Sequence, residues 1–304
     1  MVSRTSLLLS LFLVLSIPSF CQFASVIGRV VDPSGAVLPD VKISARNSAT
    51  SVLISTTTNS EGYFALSSLP VGTYTLQAEK AGFNKEQTSD IKLQVGQTAR
   101  LDLTLQLGEL LTSVAVQGVS PVIQSETSSV GAVVESRQIL GVPLNGRSLF
   151  NVLALAPGVQ NAGISPRVGG GPGNSNNNFT IDGTSNNDTI SARGEGAFPS
   201  LDMVSEFEVI NVNAPAEFGR GGAQVRVVTK SGGNELHGSL FHYNRNREFA
   251  ARNFFALTVP PYNRNEFGGS VGGPILIPKV YDGRNKTFFY VVWEGLRERP
   301  SVPI

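Results

Sequence analysis

The stretch "SEFEVINVNAPAEFGRGGAQVRVVTKSGGNELHGSLF", Ser205 to Phe241, sets the reading of the whole chain. Two runs rich in β-branched and aromatic residues, "VSEFEVI" and "AQVRVVTK", read as strands. Pro215 to Gly222 is the turn-rich connection between them. Past Gly233 the chain turns into "ELHGSLFHYNRN", strand-like again, with mixed apolar and polar faces.

Upstream, "SRQILGVPLNGRSLFNVLALAPGV" changes period. Ile139 and Leu140, then Leu149, Val152 and Leu153, recur at helical spacing. Pro143 and Asn145-Gly146 split the pattern into two short helices, and Pro157-Gly158 stops the second. Val168 to Asp188 comes next, a Gly- and Asn-rich tract with one apolar insert, "FTID", which reads as loop, strand, loop.

Downstream, "FGGSVGGPILIP" is Gly-rich and then apolar, Tyr281 to Arg284 is a tight-turn signal, and "KTFFYVVWEGLRE" returns to close a hairpin. Tyr290 and Trp293 suit a membrane-interface girdle, with a core role for Trp293 as the alternative. From Asn234 onward there is room for about three or four strands at roughly 10 residues each. Such a set cannot close a cylinder, and an open edge cannot face lipid. The expectation is therefore an N-terminal part, or a truncated product, of a longer chain.

Nearer the N-terminus, Ser25 to Leu107 is a run of seven short alternating strands broken by Asp32-Pro33-Ser34-Gly35, Asn59 to Gly62 and Pro70-Val71-Gly72. That spacing argues for a small antiparallel β-sandwich. Asp32, Asp40 and Asp90 fall at turns or strand edges and read as turn residues. Gly108 to Gly118, "GELLTSVAVQG", joins the sandwich to the middle of the chain. It is either the first strand of the next domain, at Ser113 to Gln117, or a free extended peptide suited to adding to a partner's sheet edge.

Composition narrows the function classes. Charged residues make up 15%, and 24 Lys and Arg against 23 Asp and Glu leave no electrostatic footprint for nucleic acid. Arg4, the apolar run Leu7 to Ile17, Pro18, and small residues before a cut at Gln22 read as an export signal. Cleavage after Cys21 removes the single cysteine, which excludes a disulfide scaffold. Phe20 stands where a lipoprotein would need a small residue. No later segment has the length and apolarity of a transmembrane helix, so membrane residence would require a barrel. His237 and His242 are five apart on one strand and point to opposite faces, which removes a shared metal site. Asp182, Asn186 and Asp188 supply too few carboxylates for a calcium loop. Gly169 to Gly173 lacks the Lys-Ser/Thr of a phosphate loop. No nucleophile and base stand at a recognisable spacing, and no cofactor or metal is expected.

Two families are resembled by these motifs. "GRVVDPSGAVLPDVKI", "TNSEGYFALSSLPVGTYTLQAEKAGF" and "LDLTLQL" resemble the carboxypeptidase regulatory-like domain, a non-catalytic transthyretin-like sandwich. "PLNGRSLFNVLALAPGV", "FTIDGTSNND", the Ser205–Phe241 stretch and "ARNFF" resemble the plug of TonB-dependent outer-membrane receptors of the Oar-like subgroup. "FGGSVGGPILIP" and "NKTFFYVVWEGLRERP" resemble the first strands of that barrel.

The resemblance implies a mainly β chain. It would comprise a signal peptide (1–21), a β-sandwich (25–107), a linker (108–118), an α+β plug domain (119–233) and the first strands of an incomplete outer-membrane β-barrel (234–304). It also implies ligand uptake across the outer membrane, with the sandwich in the periplasm, a TonB energising complex as partner, barrel contact with lipids, and an unknown small ligand. The TonB box would fall at Thr112, Ser113, Val114, Ala115 and Val116. Ligand-facing plug loops would hold Asn174, Asn176, Asn177, Asn178, Asp182, Asn186, Asn187 and Asp188, unless those residues only fill polar loops. A surface adhesion or structural protein of the Oar type is the alternative function.

Overall fold

The computed structural model describes residues 23–108, 113–116, 129–142, 147–160, 167–169, 177–187, 199–214, 223–252, 254–255, 259 and 262–299. The export-signal segment therefore lies outside the described residues. The fold is mainly β.

The first module has eight strands: β1 (Ala24–Val31), β2 (Lys42–Asn47), β3 (Leu53–Thr57), β4 (Tyr63–Leu69), β5 (Gly72–Glu79), β6 (Lys85–Leu93), β7 (Thr98–Arg100) and β8 (Leu103–Thr104). Burial alternates residue by residue along β1 and most of β5, so one face of each strand meets the core. Val26, Val30, Ile43, Phe64, Leu66, Leu76, Leu93 and Leu105 fill the space between two sheets. One sheet runs β4-β1-β7, with β8 also on β1; the other contains β3-β2-β5-β6. The pairings of β1 with β7 and β8 are parallel, so the sandwich is not wholly antiparallel. Alternation fixes which face is buried and says nothing of strand direction. Gly28 makes the arrangement possible, because a Cβ there would strike the Leu101 carbonyl.

The turns take their expected form. Asp32 Oδ1 accepts from the Ser34 and Ala36 amides, both at 2.9 Å, and from the Ser34 hydroxyl at 2.6 Å. These donors hold its carboxyl below the usual carboxylate range, the Ser34 hydroxyl first among them. Asp40 and Asp90 have φ of 53° and 60°, the left-handed region that Asp tolerates better than most residues.

A ninth strand, β9 (Ser113–Val116), belongs to this module. It pairs in parallel with β6 and ends the sheet order β3-β2-β5-β6-β9. Ser113–Val116 of the linker thus has a strand to lie on, and it pairs with the sandwich rather than as the first strand of the next domain.

The second module begins with β10 (Val130–Glu135), followed by helices α1 (Ser136–Gly141) and α2 (Leu149–Leu153). Both helices are short, as the Pro and Asn-Gly breaks require. Ile139, Leu149, Val152 and Leu153 are buried. Then come β11 (Val159–Gln160), β12 (Arg167–Val168), β13 (Asn177–Ile181), β14 (Thr184–Ser185), a 3-10 turn at Leu201–Met203, β15 (Val204–Val212) and β16 (Ala223–Thr229). Five strands form one mixed sheet, β10-β15-β16-β13-β14, whose inner face packs Phe179, Phe207, Val209, Val225 and Val227 against the helices.

The third module is a three-stranded antiparallel sheet of β17 (His237–Asn246), β18 (Asn263–Pro274) and β21 (Phe288–Arg299), in the order β17-β18-β21. Between β18 and β21, β19 (Leu276–Ile277) and β20 (Tyr281–Asp282) form a small hairpin of their own. One tight turn sits at its tip, where the Val280 amide donates to the Ile277 carbonyl; a second follows, where the Lys286 amide donates to the Gly283 carbonyl at 3.0 Å, and Arg284 lies in it as expected. Tyr281 and Asp282, read from sequence as part of the turn, are instead strand residues.

Candidate functional site

The two faces of the third sheet have different chemistry. On one, Leu240, Gly269 and Trp293 share a row and Val271 lies across from Val291. Leu240 is 92% exposed and Trp293 62%, with Trp293 leaning on Phe267 at 5.6 Å. This apolar face suits a lipid boundary. The opposite face meets the second module. Tyr290 lies on that inner side, where its hydroxyl donates to the Asp202 carbonyl at 3.1 Å. Three residues apart on a strand, Tyr290 and Trp293 cannot share a face, so the two-residue girdle expected from sequence does not form.

The inner contact is organised by Arg147, at the entry to α2. Its guanidinium is nearly buried, paired with Asp202 and 3.7 Å from Glu294. It lies over the rings of Phe241 at 4.3 Å and Tyr243 at 5.0 Å, a cation–π clamp from β17. Asp202 also accepts from the Ser239 hydroxyl at 3.3 Å, and the Ser200 hydroxyl donates to Glu294. Lys230 stands nearby. Burial pulls its ammonium below the usual lysine range, with Asp202 opposing and Arg147 adding to the fall. One cation from the second module is thus held by an acid of its own module and by an acid and two rings of the third.

The Asn-rich tract closes into a network. Asn178 donates to Gln224 at 2.7 Å, and Asn187 donates to Asn178 at 2.6 Å. Asn187 accepts from the Phe179 amide at 2.9 Å, and the Asn186 amide donates to the Phe179 carbonyl at 2.9 Å. Asn177 is buried at the head of β13. Asp182, with φ of 47°, accepts from the Thr229 amide at 2.9 Å and hydroxyl at 2.8 Å, which pins the β13–β14 turn to β16. Five of the eight residues expected to face ligand are therefore brought together around β13. Asn174, Asn176 and Asp188 lie outside the described residues, as does Thr112. Among the described residues no His, Cys, Asp and Glu cluster could hold a metal ion.

The sandwich meets the second module through its β6–β7 turn. The Val95 amide donates to Glu206, while Glu135 takes Lys92 at 2.5 Å and Gln94 at 3.0 Å. Burial pushes the Glu206 carboxyl up to about 7, opposed by the Val95 amide. Beside it, Glu208 and Arg226 form an ion pair with little exposure on either side chain.

Comparison with known proteins matches residues 25–106 to the carboxypeptidase regulatory-like domain family and residues 228–303 to the outer membrane beta barrel domain family. Over 282 residues, 86% of this chain, it is 30% identical to the TonB-dependent transporter Oar of Myxococcus xanthus. The chain is a homologue of a TonB-dependent transporter. It spans 26% of that relative's length. Among solved structures, the siderophore receptor PirA from Acinetobacter baumannii is similar over 55% of this chain and 24% of its own, at 20% identity and a TM-score of 0.40. Hydroxyquinol 1,2-dioxygenase from Pseudomonas putida matches 29% of this chain and 57% of its own, at 10% identity and a TM-score of 0.24. Scores this low assign no fold. The transporter homology and the barrel-domain match support placement in the outer membrane.

In this transporter homologue, sequence reading gave Arg147 no role. The signal was there: a lone cation between "PLNG" and the start of α2, whose Leu149, Val152 and Leu153 are buried. A cation in that setting needs a partner, but a single sequence does not say that the partners lie on β17 and β21.

Proposed function

We propose that this chain forms the front part of a ligand-gated outer-membrane receptor that takes up a small ligand, with its plug moved by an energising TonB partner. The 282-residue homology to a TonB-dependent transporter carries the reading. Physical support comes from the plug's attachment to the inner face of the barrel strands through Arg147, Asp202 and Glu294, a contact of side chains and not of continuous backbone. Such a contact can shift between arrangements without unfolding either sheet. No reacting group is implied; the work is binding and displacement. The Asn-rich tract from Asn174 to Asp188 is proposed as the ligand side, rooted by the Asn178–Asn187–Gln224 network. Thr112 to Val116 is proposed as the TonB-contacting segment.

Isothermal titration of the full chain, and of a synthetic peptide of residues 108–118, with a purified TonB C-terminal domain tests this. Saturable binding of the peptide is expected. Absence of binding by both would remove active transport and leave a structural or adhesive role at the cell surface.

A further inference from the structure

The proposed TonB-contacting segment already has a partner within the chain. Ser113, Val114, Ala115 and Val116 lie in register with Lys85, Glu86, Gln87 and Thr88 of β6. The other edge of β6 is taken by β5, along Gly72 to Ala78. β6 therefore has one seat left, and β9 fills it.

We infer that the β6 edge of the sandwich is the resting seat of the coupling segment, and that the segment must leave it before an outside partner can take hold. This rests on the assignment of residues 113–116 under Proposed function. The energetics favour a reversible seat. Four parallel rungs yield only a few backbone hydrogen bonds, each worth little net of the water it replaces. Ordering four residues costs conformational entropy of similar size. The two are comparable, so seated and free forms lie close in free energy. A partner that needs the free form then sees its affinity lowered by the seated fraction. Strand addition supplies the partner with the same kind of bond that β6 offers, so exchange needs no new chemistry. The sandwich thereby acts on coupling without touching ligand or lipid.

A disulfide lock decides the matter. Gln87 and Ala115 are directly paired, and neighbouring strands bring Cα atoms within disulfide range. In a full chain carrying Cys21→Ser, the pair Gln87→Cys with Ala115→Cys is the sole source of thiols. A second pair, Lys85→Cys with Ser113→Cys, guards against a fold defect in the first. The mismatched pair Lys92→Cys with Ala115→Cys is the control. Mild oxidation is expected to cross-link both matched pairs and not the control. The locked forms should bind the TonB C-terminal domain at least tenfold more weakly than the same chains after reduction. Failure of both matched pairs to cross-link, or cross-linking equal to the control, overturns the seat. Equal binding by locked and reduced chains overturns the occlusion. If neither the reduced chain nor the 108–118 peptide binds, the functional assignment of the segment fails, and with it the occlusion, while the cross-link still reports the seat.

Discussion

The sandwich and the second module, the proposed plug, are similar β structures that differ in what they bury. Among the described residues, the buried polar groups of the sandwich are neutral: Ser44, Asn47, Thr58, Thr88 and Gln97. The plug buries Asp202, Glu206 and Arg226. The sandwich closes its core with two sheets of its own, so its charges stay outside. The plug's sheet has one face on its helices, while its other surfaces are covered by neighbours. Its charges go under when the modules meet. Asp202, Glu206 and Arg226 therefore lie at junctions between modules, whereas Glu266, the buried acid of the third sheet, is paired with Arg264 of its own strand.

The largest effect that could break this contrast is expected from Arg147→Ala. It leaves Asp202 buried without its cation, and removing one member of a buried pair costs about 3–5 kcal/mol. Trp293, the single tryptophan, sits on β21 and reports the third sheet by fluorescence. Urea unfolding seen by Trp293 should move to lower denaturant, while the sandwich keeps its midpoint. An equal shift in the sandwich would show that the modules are one cooperative unit.

A smaller effect is expected from pH. Glu206 sits at about 7 in the folded chain against an ordinary 4.5, so the folded state holds a proton that the unfolded state releases between those values. The sandwich–plug contact should be strongest below pH 4.5, weaken as pH rises towards 7, and be flat above. The span is on the order of 3 kcal/mol. Glu206→Gln should flatten that slope, read from hydrogen exchange at the Val95 amide across a pH series. An unchanged slope would place the titration elsewhere.

The smallest is Tyr74→Phe, which deletes a hydroxyl that donates to the Pro70 carbonyl at 2.8 Å. A loss of about 1 kcal/mol is expected, confined to the thermal midpoint of the sandwich. A comparable loss in the plug would sharpen the case for coupling between them.

Much of the fold was legible in the sequence. Alternation gave the strands of the sandwich, "FTID" gave β13, and the helical spacing of Ile139, Leu149, Val152 and Leu153 gave α1 and α2. Pairing was not legible. Period two cannot say that β7 and β8 run parallel to β1, or that "SVAV" would choose the edge of β6. Tyr290 is different: its separation from Trp293 by an odd number of residues already forbids a shared face, and aromatic residue type alone suggests a girdle that periodicity rejects. Five of the eight residues named for the ligand side lie together around β13, but the hydrogen bonds of Asn178 to Gln224 and of Asp182 to Thr229 link positions more than 40 apart in sequence. A local reading has no access to such links.

Gly96 carries a last consequence, one for grafting. It has φ of +64°, and a Cβ there would collide with the guanidinium of Arg226, which is engaged with Glu208. Position 96 is therefore constrained twice, by its own turn and by a side chain from another module. A substitution at 96 should stay strained by its own turn even where a smaller residue at 226 removes the collision. A sandwich transplanted from a related chain would have to bring a glycine there. Interchange of front modules among such chains is thus limited less by the stability of the transplanted sandwich than by one turn of about four residues at its base.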